Sequence, residues 1–138
     1  MIAPPDAVED IPKKLAQSYP FIRYSPTAAV GQIIERALRE ADLKVREAMR
    51  LDWLEAIEAM VHHGHGIAIV PERRFPGHAL FAVKRIPFGG GRHHRTLGIV
   101  QPAESAKQRL IDVLFAELTD IVSHSSSHGK SAKRPHDP

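Results

Sequence analysis

Apolar residues along this chain alternate between two spacings, and each change of spacing marks an element. Residues 21–24 (Phe-Ile-Arg-Tyr) form a short aromatic and branched run, the composition of a strand. From Ser25-Pro26 the spacing becomes helical. Val30, Ile33, Ile34, Ala37, Leu38 and Ala41 fall on one face, and Gln32, Glu35, Arg36, Arg39 and Glu40 on the other. A residue before proline is pushed toward extended geometry, and proline suits the first helical position, so Ser25 reads as the N-cap. Residues 45–49 read as a weaker strand, broken by charge and placed near a sheet edge.

Asp52 and Glu55 then have the spacing of a capping box, with Trp53, Leu54, Ile57, Met60 and Val61 behind them. Gly64 sits where a left-handed residue closes such a helix. Residues 67–70 (Ile-Ala-Ile-Val) are apolar without a break and end at Pro71, as a strand covered on both faces should read. Residues 79–86 and 96–101 read as further strands around a glycine-rich loop at 89–95. Ser105 and Gln108 again have capping-box spacing and open a last helix to about Val122.

The order is strand, helix, strand, helix, strand, loop, strand, strand, helix. That is an α/β fold with right-handed crossovers on a mostly parallel sheet. Sheets of this kind bind ligands at the carboxyl ends of their strands. Residues 1–18 are proline-bearing and lack a period, so they read as a lead-in. Residues 123–138 are polar and low in complexity, and too poor in apolar side chains to offset their ordering entropy, so a disordered tail is expected.

The bulk properties exclude more than they suggest. A length of 138 residues fits one domain with a core of ordinary size. The absence of cysteine removes disulfides, thiolate catalysis and cysteine zinc sites. The net charge of +3 comes partly from Lys130, Lys133 and Arg134 in the tail, which makes it poor evidence for a nucleic-acid surface. No apolar run approaches the ~20 residues of a membrane span. Met1-Ile-Ala-Pro-Pro-Asp lacks the features of a signal peptide, so the chain reads as cytoplasmic.

Five segments, in order, carry a resemblance. They are Pro20-Phe-Ile-Arg-Tyr-Ser-Pro26, Leu43-Lys-Val-Arg-Glu-Ala-Met49 with Leu51-Asp52, Gly64-His-Gly-Ile-Ala-Ile-Val-Pro71, Arg95-Thr-Leu-Gly-Ile-Val100, and the helix that follows. Together they resemble the effector-binding domain of LysR-type transcriptional regulators, over residues 19–122. The resemblance implies a type II periplasmic-binding-protein-like fold, in which two α/β subdomains hold a small effector between them. What this chain offers looks like part of that fold: the second subdomain plus the returning strand and C-terminal helix. The family's DNA-binding helix-turn-helix has no counterpart here, so DNA would be reached only through an element outside these residues. His65 departs from the family, which usually has an apolar residue there.

The resemblance also directs attention to the strand ends. Ser25, Pro26 and Thr27 lie where a strand meets a helix, and hydroxyls beside free backbone N–H groups suit an anion. In the family the matching turn touches the effector, often a small carboxylate; the plainer role of Ser25 is as a cap. Trp53, Val70 and Pro71 lie at matching strand ends and complete the expected effector-binding set, although for Trp53 a place in the core is the first expectation and the pocket the second. The expected partner is a small-molecule effector; no cofactor or membrane is implied. His62, His63 and His65, and His93 with His94, lack the i, i+4 spacing of zinc proteases and point to no specific metal site. Gly89-Gly-Gly and Gly129-Lys-Ser fail as phosphate loops, and no catalytic set is marked by spacing. The expected function is therefore the effector-binding part of a regulator, not an enzyme. The alternative is a free-standing solute-binding or interaction module that modulates full-length regulators. The wide apolar arc of the last helix predicts a homo-oligomer or association with an intact regulator.

Overall fold

The computed structural model describes residues 1–72, 80–94, 96, 98–102 and 106–127. They fall into two units, one holding residues 1–72 and 80–94, the other residues 96, 98–102 and 106–127.

The first unit begins with β1 (Ile2–Ala3), α1 (Pro12–Ser18), β2 (Phe21–Tyr24) and α2 (Ala29–Glu40). It continues with β3 (Glu47–Leu51), α3 (Leu54–His62) and β4 (Lys84–Arg85). β1 pairs antiparallel with β4, and β2 pairs parallel with β3. Residues 67 and 68 join the two pairs: Ala68 bridges Ile2 antiparallel and Ile67 bridges Phe21 parallel. The order across the sheet is thus β4, β1, residues 67–68, β2, β3, with β1 alone reversed.

Alternation along the strands builds two cores. Met1, Ala3, Phe21, Ile67 and Ile69 face one way, onto Leu15 of α1 and Ile34 and Leu38 of α2. Ile2, Ile22 and Ala68 face the other way, onto Ile57 and Val61 of α3. The strand expected at 67–70 is reduced to single bridges at Ile67 and Ala68, but the segment is still buried on both faces through residue 69, which explains the unbroken apolar run. β3 alternates far less and lies at the edge, two residues later than its sequence pattern indicated. α3 closes as expected: Gly64 has φ 79°, its N–H bonds to Val61 O, and the His65 N–H bonds to Met60 O. His65 itself is exposed, so its polarity does not disturb the neighbouring strand.

Several expectations are corrected. Residues 1–18 are more than a lead-in, since β1 lies inside the sheet and α1 buries Leu15 and Ala16. Two strand residues before Pro4-Pro5 and a seven-residue helix are too short to show a period. Ser25 does not cap α2, whose N-cap is Ala28, and Asp52 does not cap α3, whose N-cap is Trp53; neither cap has a side-chain hydrogen bond. Of the strand expected at 79–86, only Lys84–Arg85 pairs among the described residues. The described residues between 96 and 101 form no strand. In the second unit α4 (Gln108–Ser127) runs past Val122 into the expected tail, and the cap proposed at Ser105 lies outside the described residues. Residues 128–138 of the expected tail also lie outside them.

The Met1 amine is buried and donates to Ile86 O at 2.7 Å. Burial first, and then the nearby Arg85 charge, lower its pKa from 8.0 to about 6. The folded state thus disfavours the protonated amine. In the 138-residue polypeptide its contribution is favourable above pH 8, is lost as pH falls from 8 to 6, and is level below that. The total is on the order of 3 kcal/mol. A ¹⁵N NMR titration of this amine should show a midpoint near 6; a midpoint near 8 would remove the effect.

Candidate effector-binding wall

Three parallel segments end side by side, and the expected site residues follow them. β2 runs into Ser25, β3 into Asp52 and Trp53, and residues 67–69 into Val70 and Pro71. Ser25 N–H bonds to Leu51 O at 3.0 Å, which fixes the end of β2 against the end of β3. A turn follows, closed by Ala28 N–H on Ser25 O at 3.2 Å. Within it Ser25 Oγ and Thr27 Oγ1 share a hydrogen bond of 2.9 Å. Ser25 is buried, Pro26 half-buried and Thr27 exposed. The pair therefore presents Thr27 outward, with Ser25 held behind it.

Gly31 makes that geometry possible. A Cβ at this position would stand 1.9 Å from Ser25 O and 2.9 Å from Pro26 Cα, so the first turn of α2 is pressed directly onto the Ser25–Thr27 backbone. Sequence reading placed Gly31 on the helix without assigning it a role. A glycine inside an otherwise strong helical pattern was the available signal, because it costs helix stability and needs a packing reason.

Below the turn, Arg23 holds α2 and β3 to β2. Its guanidinium donates to Glu35 of α2 and, at 2.5 Å, to Glu47 of β3, while Arg50 donates to Glu47 at 3.0 Å. Burial works against the Arg23 charge, but the hydrogen bonds to Glu35 and Glu47 outweigh it and raise its pKa. The hydrogen bond from Arg23 likewise holds the Glu47 carboxyl below its usual value. These contacts join residues 12 and 24 positions apart, which sequence alone could not pair.

Trp53 begins α3 and is 75% exposed, so it is not a core residue. Val70 and Pro71 are half-buried, Val70 against the α3 core. The structure brings Ser25 and Thr27 into contact and ties them to the β3 end that carries Trp53. Val70 and Pro71 follow the segment on the opposite side of β2. These residues form an open wall. A hollow of about 340 Å³ among the described residues lies elsewhere, lined by Arg23, Glu35, Leu38, Arg39 and residues 42–45. Its lining mixes charged side chains with Leu38, Leu43 and Val45 beside the C-terminal half of α2.

The LysR substrate binding domain family matches residues 1–122 of the chain. The chain belongs to that family. No curated protein and no solved structure matches it. The LysR substrate-binding domain has a periplasmic-binding-protein-like α/β fold, with which the helices and small sheets seen here are compatible. Its role is effector binding within regulation rather than catalysis. The match begins at Met1, and β1 and α1 explain why residues before 19 belong to the domain. Among the described residues, no three of His, Asp and Glu group as metal ligands, and no helix is long and apolar enough to cross a membrane. His62 instead meets Ala82 O at 2.8 Å through Nδ1 and packs near Phe81, and His93 pairs with Glu40 at 3.4 Å.

Proposed function

We propose that the strand ends of this LysR substrate-binding domain form one wall of an effector cleft, and that the effector is a small anion with an apolar body. Ser25, Pro26, Thr27, Trp53, Val70 and Pro71 are the contacting residues. The reading rests on one observation above all: α2 and α3 both begin on this wall without a side-chain cap. The first turn of α2 thus has no side-chain cap over its N–H groups, and such a helix start suits an anion. α2 has no acidic residue in its first turn, whereas α3 has Glu55, so the negative group belongs at α2, beside Thr27. Exposed Trp53 then offers an apolar surface for the rest of the ligand.

In this reading the described wall belongs to the second subdomain of a two-subdomain fold, and the α4 unit to the part that returns from it. One wall buries only about half of what a closed pocket would, so its affinity is weak. Trp53 is the single tryptophan of the chain, which makes its emission a direct reporter. Titration with benzoate should change it saturably, with a half-point in the millimolar range, about −4 kcal/mol. Thr27→Val should weaken that several-fold. No saturable change with benzoate or succinate would sink the site; micromolar binding would sink the single-wall reading.

A further inference from the structure

We propose that the hollow beside the C-terminal half of α2 is a second small-molecule site, and that its ligand is a small apolar α-amino acid. The hollow shares no lining residue with the wall at the strand ends, so it stands apart from the reading of that wall. Its volume of about 340 Å³ lies at the small end of the ~300–1,000 Å³ range of ligand pockets.

The way α2 ends builds the hollow. Asp42 takes the left-handed conformation, with φ 45°, which aspartate tolerates better than most side chains. The chain then folds back: Asp42 N–H bonds to Arg39 O at 3.1 Å and Leu43 N–H to Leu38 O at 3.0 Å. In such a closure the residue after the left-handed one packs on the last turn of the helix. Here Leu38 and Leu43 both enter the core, and with Val45 they supply the apolar part of the lining.

Five charged side chains complete it. Arg23 and Glu35 satisfy each other through their hydrogen bond. That leaves Arg39, Lys44 and Asp42, all exposed, for which no ion pair is seen among the described residues. Two cations and one carboxylate beside an apolar lining match a ligand with a carboxylate, an ammonium group and an aliphatic body. A simple carboxylate would face Asp42 and the negative end of the α2 dipole without compensation. An amine alone would face Arg39 and Lys44. An amino acid such as leucine answers all three charges.

The probe is leucine, added to the full chain and followed by the methyl NMR signals of Leu38, Leu43 and Val45. Those signals should shift saturably, with a half-point on the order of 1 mM, as suits exposed charges. Isocaproate, which lacks the ammonium group, and isoamylamine, which lacks the carboxylate, should each bind several-fold more weakly. Arg39→Gln with Lys44→Gln should weaken leucine about fivefold. Arg36→Gln, exposed on α2 outside the lining, should change nothing. Asp42→Asn keeps a residue that tolerates the left-handed conformation and should reverse the preference, so that isocaproate binds better than leucine. No saturable shift with millimolar leucine would overturn the proposal. Isocaproate binding the parent as tightly as leucine would overturn it too, as would a double variant that binds normally. Signals that move with protein concentration before leucine is added would show that another chain covers the hollow, and would also overturn it.

Discussion

Gly31→Ala should destabilise the protein by about 3 kcal/mol, although glycine to alanine inside a helix ordinarily stabilises by up to ~1 kcal/mol. The reversal has a specific cause. The added methyl would stand 1.9 Å from Ser25 O and 2.6 Å from Ser25 C, and both are backbone atoms that cannot swing aside. Either α2 lifts from the sheet or the Ser25–Thr27 turn opens. Lifting α2 pulls Ile34 and Leu38 from the core they share with Phe21 and Ile67. Opening the turn breaks the Ser25–Thr27 hydroxyl bond. Urea unfolding measures the loss, and benzoate titration of the folded fraction reports the turn. An unchanged or higher urea midpoint would mean that α2 does not sit this close to β2.

Arg85→Met should cost about 2–3 kcal/mol, and the loss should be asymmetric across its ion pair. Arg85 of β4 donates to Glu58 of α3 at 3.0 Å; the Glu58 side chain is 1% exposed and that of Arg85 42%. When the arginine is lost, the carboxylate stays buried without that cation. When the glutamate is lost, the arginine can turn to water. Breaking a fully buried pair costs ~3–5 kcal/mol, and the partial exposure of Arg85 brings this case to the bottom of that range or just below it. Glu58→Leu should therefore cost less than Arg85→Met, and the double variant should lie within about 1 kcal/mol of the parent. Equal losses from the two single variants would show that Glu58 is not effectively buried.

The local chemistry of this domain was legible wherever a side-chain pattern repeats. The α2 face, the Gly64 closure of α3 and the doubly buried run at 67–70 each state their environment in consecutive residues. The five ordered segments also carried the family. Where a pattern is short, it fell silent: β1 has two residues and α1 seven, so neither shows a period, yet both enter the core. Capping was misread for a different reason. Ser25 and Asp52 have suitable side chains, but a serine whose carbonyl closes a turn and whose hydroxyl meets Thr27 is held away from the helix start. Composition cannot tell a cap from a turn residue three positions earlier.

By itself the sequence determined the α/β class, the elements around residues 21–64, the burial of the run after Gly66 and the family, because each depends on neighbours within a turn or two of chain. Only the tertiary structure decided the rest. It showed that Gly31 is pinned against Ser25, that Arg23 joins β2 to α2 and β3, that Glu58 meets Arg85 from 27 residues away, and that Trp53 faces solvent. Those facts depend on distances between segments far apart in the chain, which are set by how the two faces of the sheet are covered.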